Sequence, residues 1–355
     1  MRSLTLFIII FLYAVINSYS QEEVLVWSDE FSGSYAPDAS NWGYDTGAGG
    51  WGNREVQTYT TQIQNARQEG GLLIIEAVKT GNTWTSARLL TNNKHEFKYG
   101  RFVWRARLPV GSGTWPALWL LGENFGSAGW PGCGEIDVME HVGKDPGWVQ
   151  SAVHTPSSYG NTVNFKKKFI ATANSEFHVY QLNWTYEKLE FSVDSVLMYT
   201  YKPAVRNTST WPFDKPFFLI MNVAMGGNMG SDPQYETGGL KNGIDPTLTS
   251  ARMEIDYVRV YQYPNGINEN LPVDKGSKEV KPFIFPNPSS GKVNITLPAG
   301  SPATGYLYDC LGQQVLQMEL TKPVNEVDLT SVGKGVYCIV LQTDEKKYTS
   351  KLIVQ

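Results

Sequence analysis

The stretch GCGEIDVMEHVG, residues 132–143, sets Glu135, Asp137 and Glu140 among Ile136, Val138 and Met139, three charges in an otherwise apolar segment. Wound as a helix, acids at i, i+2 and i+5 would scatter around the cylinder. Val138, His141 and Val142 make no helical stripe either, and Pro131 and Gly134 flank the start. Extended, the same text is orderly: Glu135 and Asp137 share one face, Ile136 and Val138 the other. Glu140 falls out of step by one residue. A β-bulge that absorbs the surplus returns it to the acidic face, and bulges are frequent beside active sites. The segment is therefore predicted to be a bulged strand, apolar toward a core and acidic on its open side.

The neighbouring sequence follows the same period. LLIIEAV (72–78), RFVWRARLPV (101–110), FHVYQLNW (177–184), LEFSVDSVLMYTY (189–201), FFLIMNVAM (217–225) and MEIDYVRVYQY (253–263) favour β-branched and aromatic residues in alternation. Clusters of Gly, Asn, Pro and Ser separate them. No sustained apolar stripe of helical period occurs. Roughly 240 residues of strands imply an all-β fold, two antiparallel sheets stacked as a sandwich. Residues 264–281, PNGINENLPVDKGSKEVK, are polar and turn-rich and read as a linker. Residues 282–355 then begin a smaller all-β unit, expected to be a small β-sandwich near the lower size limit for a self-sufficient core.

At the other end, MRSLTLFIIIFLYAVINSYS has an early arginine, a short apolar run and small residues at Ser18 and Ser20. This is the layout of a secretory signal peptide, residues 1–20, and leaves the large unit as residues 21–263. No later stretch is long and apolar enough for a membrane-spanning helix. The net charge of −4 over 355 residues offers no basic field for a polyphosphate, which excludes nucleic acid as a partner. The chain is expected to act as a monomer. Of its three cysteines, Cys310 and Cys338 lie close enough in sequence to bridge, while Cys133 stands alone and is expected to pack as a small hydrophobe.

The acidic face sets its own chemistry. With the bulge absorbed, the backbones of Glu135 and Glu140 lie roughly 13 Å apart at ~3.3 Å per residue. Two glutamates leaning together reduce that to about 5 Å between carboxylates, the separation of a retaining glycoside hydrolase pair. In this assignment Glu135 attacks the anomeric carbon and Glu140 protonates the leaving oxygen, then activates water. Asp137 would orient Glu135. Three carboxylates this close cannot all ionise freely, so at least one pKa should rise and the titration should be coupled. Two plainer readings stand beside catalysis. One is a calcium site, although the EF-hand spacing is missing; the other is a solvated strand face, which has no need of the slip in register.

Candidate substrate contacts surround the segment. Trp115 and Trp119 in GTWPALWLLG fall on one face of a strand, where flat indoles can stack on sugar rings. Trp115, beside Gly113 and Pro116, is expected to be exposed, whereas core packing is an equal reading for Trp119. AGGWGNREVQTYT, residues 48–60, offers Asn53, Arg54 and Glu55 to sugar hydroxyls, and TSARLLT brings Arg88, although either arginine could serve in a surface ion pair. His154 in SAVHT lies where the next strand would run, placed to tune a carboxylate or to be structural. His141 should point away from the acidic face.

EIDVME with GTWPALWLLG before it, VWSDEF, GWGNREVQTYT, MNVAMGGN and IDYVRVYQ together resemble family 16 glycoside hydrolases, most of all the bacterial laminarinases. The resemblance covers about residues 24–263. It implies a β-jelly-roll sandwich with a concave substrate cleft and endo-hydrolysis of β-1,3-glucan with no catalytic cofactor. It also implies the same roles for Glu135, Asp137 and Glu140, and draws Asn222 into the substrate set. Mixed-linkage glucan, an algal galactan, or non-catalytic glucan binding are the alternatives. The resemblance further implies a structural calcium, for which Glu30, Gly71 and Asp256 are the nearest matches. Met229 stands where related laminarinases commonly carry tryptophan, which should weaken or reshape a distal sugar subsite. In the tail, FPNPSSGKVNI, YDCLGQQV and GVYCIVLQTDEKKYTSKLIVQ resemble the C-terminal sorting domain of the type IX secretion system. That machinery is the implied partner, and the implied route runs through the periplasm to the cell surface or medium.

Overall fold

Alternating apolar residues build two large sheets that bury one face each against the other. The computed structural model describes residues 23–263 and 282–355, apart from 286, 288, 290, 298–301, 310, 311, 323 and 344–346. The expected signal peptide and linker, and Cys310 with its expected bridge to Cys338, lie outside the described residues. One sheet has seven antiparallel strands: β1 (Gly43–Asp45), β2 (Arg88–Leu90), β3 (Thr114–Gly122), β4 (Glu135–His141), β5 (Trp148–His154), β6 (Phe165–Phe169) and β7 (Phe217–Met225). Their order across the sheet is β6-β5-β4-β3-β7-β2-β1, which puts the acidic strand near the middle. The second sheet has ten strands and is centred on Ser250–Gln262, which pairs with Val24–Asp29, Leu72–Thr80 and Gly100–Arg107.

The core lies between the sheets. Leu118 and Leu120 of β3, Ile136 and Val138 of β4, Val149 and Val153 of β5 and Met221 and Val223 of β7 face Phe102, Trp104, Leu182, Trp184, Ile255 and Val260 of the ten-stranded sheet. Each such side chain contributes about 1.5–3 kcal/mol by leaving water. The alternate residues of the same strands are thereby fixed on the open face. Among the described residues no helix is long and apolar enough to cross a membrane.

The predicted strands form where their apolar alternation lies, with one exception. LEFSVDSVLMYTY is not one strand but a hairpin, Leu189–Val193 and Val196–Tyr201. Asp194 and Ser195 take φ of 50° and 64° at its tip, the left-handed pair that a two-residue turn needs. The smaller unit has a three-stranded and a four-stranded sheet and its own core of Val293, Ile295, Leu307, Ile339 and Leu352. It is a small sandwich, as expected.

Candidate active site

The bulge lies where the spacing puts it. Against β3, Asp137 pairs with Trp119 and Glu140 with Ala117; against β5, the same two pair with Ala152 and Gln150. Three steps along β4 thus match two along each neighbour. Since Glu135 pairs with Leu121 and His154, all three acids fall on the open face. Val138 and Met139, consecutive residues, are both buried, the latter fully. Glycines bound the strand. Gly134 takes φ 74°, and a Cβ on Gly143 would lie 1.9 Å from the Gly111 carbonyl oxygen.

Each glutamate is held by an indole. Trp115 Nε1 donates to Glu140 Oε1 at 3.0 Å, and Gln150 Nε2 donates to Glu140 Oε2 at 3.0 Å. Trp130 Nε1 donates to Glu135 Oε2 at 3.0 Å. His154 Nε2 lies 3.6 Å from Glu135 Oε1 and 3.3 Å from Asp137 Oδ2, while the Asp137 side chain is hydrogen-bonded to Glu135. Burial, then the charge of Asp137, pushes Glu135 from an ordinary 4.5 up to about 8. Burial, then Glu140, lifts Asp137 well above the usual carboxylate range. Two carboxylates in contact share a proton more readily than both ionise. Asp137 is therefore the natural holder of that proton, and the charge rests on Glu135. Among the described residues, Glu135, Asp137 and His154 also form the acid and histidine cluster whose ligand atoms lie within 4.8 Å of one another. A shared proton accounts for that approach without a cation.

A polar row crosses the open face at Glu140, one residue from each strand in register: Asp45, Arg88, Asn222, Ala117, Glu140, Gln150 and Lys167. Arg88 pairs with Asp45 at 3.1 Å, and its guanidinium lies over the rings of Trp51 and Trp119 at 5.0 and 4.7 Å. Trp119 Nε1 donates to Asn222 Oδ1 at 2.8 Å, and Asn222 Nδ2 donates to the Tyr59 hydroxyl at 3.0 Å. Glu55 accepts from Asn53, Gln57 and Tyr59, and burial raises its pKa. Asn53, Arg88, Trp119 and Asn222 thus form one network on the β2–β7–β3 side, and His154 joins the acids directly.

Other expectations need correction. Trp115 is not exposed. It retains 9% of its surface, packs with Val142, Ala224 and Met229, and spends its N–H on Glu140. Arg54 is exposed with φ 61° and stands outside the network around Glu55. Strand pairing does bring Glu30, Gly71 and Asp256 to one region of the ten-stranded sheet. However, the Glu30 carboxylate is gripped by Arg259 at 2.8 and 2.7 Å and Asp256 by Arg105 at 2.6 Å. With those carboxylates engaged by guanidinium groups, backbone carbonyls are the donors left there for a cation. Two expectations hold: His141 turns away from the acids, its Nδ1 2.7 Å from the Trp148 carbonyl oxygen, and Cys133 is a buried hydrophobe whose thiol burial raises to about 11.

Trp130, Tyr159 and Gln150 were missed by sequence reasoning. Trp130 and Tyr159 rings meet at 5.3 Å beside Glu135. The available signal was the turn sequence WPGCG, which folds Trp130 back over the start of β4.

Known proteins are similar to this chain in sequence and fold. Residues 52–259 match the model of glycosyl hydrolases family 16, and residues 283–355 match the secretion system C-terminal sorting domain. A β-glucanase from Rhodothermus marinus is 46% identical over 254 residues, spanning 67% of this chain and 85% of that protein. The crystal structure of a laminarinase from Flavobacterium sp. UMI-01 superposes with a TM-score of 0.62 at 43% identity, covering 67% of this chain and all of that one. The laminarinase of Rhodothermus marinus gives 0.63 at 45% identity over 68% of this chain and 98% of its own. With that match spanning the acidic strand and both flanks of the cleft, the chain belongs to the glycosyl hydrolases of family 16 and ends in a secretion sorting domain.

Proposed function

We propose that the protein is an exported endo-β-1,3-glucanase that hydrolyses laminarin-like glucans with retention of configuration. One observation carries this reading: the bulge in β4 that puts Glu135 and Glu140 on one face with Asp137 between them. Glu135 attacks the anomeric carbon and the carbon–oxygen bond breaks as Glu140 gives its proton to the departing oxygen, leaving a glycosyl ester. Glu140 then takes a proton from water, whose oxygen opens the ester and frees Glu135. Trp130 fixes one oxygen of Glu135, and Trp115 with Gln150 fixes both oxygens of Glu140. Asp137 keeps its proton and donates it toward Glu135, so the nucleophile carries the charge. No catalytic cofactor is needed for this chemistry, and calcium has no place in it.

Trp119, Asn222, Arg88 and Asn53 offer an indole face and donors for sugar rings on one side of the acids. The glucanase and laminarinase names of similar proteins support β-1,3-glucan as the polymer. A signal peptide at 1–20, a catalytic unit at 21–263, a linker at 264–281 and a sorting unit at 282–355 support export through the periplasm and onward by type IX secretion machinery.

Incubation with laminarin, curdlan, lichenan and agarose, read by reducing ends, tests the substrate, and proton NMR of the first-formed anomer tests the stereochemistry. The expected result is release from laminarin with the β-anomer first. Preferential release from lichenan or agarose would move the substrate to mixed-linkage glucan or galactan. No release from any of them would leave a glucan-binding protein.

A further inference from the structure

We propose that the β5–β6 margin of the concave sheet is a second arm of the cleft, where Trp148, Phe165 and Phe169 stack further sugar rings of the same polysaccharide. This rests on the glucanase reading and adds a site to it. Val149 and Val153 belong to the core between the sheets, so by alternation Trp148, Gln150 and Ala152 lie on the open face, and their register partners Phe169, Lys167 and Phe165 lie there with them. Trp148, Phe165 and Phe169 keep 45%, 44% and 56% of their surface exposed, and the rings of Trp148 and Phe169 lie 5.5 Å apart.

An edge strand is ordinarily guarded by charge, since exposed apolar groups beside unpaired backbone invite aggregation. Lys166 and Lys168 supply that guard on the opposite face. The aromatic residues do the reverse and call for an occupant. Continuity with the catalytic row identifies it: Gln150, which donates to Glu140, is the register partner of Lys167. At ~4.8 Å per strand the margin lies roughly 10 Å from β4, room for about two hexose rings. Their C–H faces match the aromatic surfaces, and the Lys167 ammonium is a donor for their hydroxyls. A glucan long enough to reach β6 therefore gains contacts that a short one lacks.

The test compares kcat/KM on laminarin with that on the shortest laminari-oligosaccharide the wild type cuts. Trp148→Ala combined with Phe169→Ala should lower the laminarin value about tenfold, chiefly through KM, from the few-fold that each ring contact supplies. The short substrate should be cut at the wild-type rate, which also reports intact folding. Phe165→Ala is an independent variant expected to act in the same direction. An active wild type whose polymer-to-oligomer ratio is unchanged by these variants would overturn the second arm alone. So would variants that alter sedimentation but not the ratio, since the face would then be a contact between copies. A wild type inactive on both substrates would overturn the glucanase reading and this one with it.

Discussion

Glu140 is held through both oxygens, and this makes its indole partner a test of the proposed role. Trp115→Phe keeps most of the packing with Val142 and Ala224 but removes the N–H that reaches Glu140. A hydrogen bond to a charged group is worth about 1.5–3 kcal/mol, so kcat should fall roughly ten- to a hundredfold with little change in KM. Steady-state kinetics on laminarin would read it. Glu135→Ala should lose nearly all turnover, and added azide should restore it with an inverted glycosyl azide as product. Azide rescue with that stereochemistry in Glu140→Ala instead would exchange the two roles. The acids were legible because spacing alone states which face they share. Trp115 was misjudged because Gly113 and Pro116 imply a loop, while β3 in fact begins at Thr114 and continues through Pro116. Trp130 and Gln150 depend on partners across a turn or a neighbouring strand, which no local period announces.

The bulge in β4 makes a prediction about length and not only about side chains. Deleting Met139 leaves Glu, Asp and Glu in simple alternation, so both glutamates keep their faces and their register partners. What is lost is a fully buried methionine, a change that costs about 2–5 kcal/mol in other cores. The variant should therefore fold with a lower melting temperature and retain measurable hydrolysis of laminarin. Loss of all activity in a folded variant would mean that the bulge sets the spacing of the pair as well as its facing. Strands were legible wherever alternation was unbroken. The 189–201 hairpin was not, because its turn, Asp194-Ser195, continues the apolar alternation on either side without a glycine to mark it.

For the molecule as a whole, the buried acidic pair contributes a pH dependence of stability whose sign is set by its shared proton. Burial, then Glu140, holds the folded pKa of Asp137 well above its ordinary 3.8, so in the window above 3.8 the native state keeps a proton that the unfolded chain has released. Stability should fall as pH climbs through that window. Asp137→Asn should flatten the slope, read from melting temperatures at pH 5 and pH 8. Removal of residues 264–355 should leave the melting temperature and glucanase rate of the large unit unchanged, since each unit has its own core. The two-unit organisation was legible from the polar linker sequence, whereas the order of strands in each sheet was not, because pairing between distant segments leaves no mark in either one. One such pairing governs how the chain is made. Ser250–Gln262 is the last strand of the large unit to leave the ribosome, yet three earlier strands dock directly on it. Until it arrives, the ten-stranded layer has an open seam at its centre, so the large unit cannot close its core before its last strand has been made.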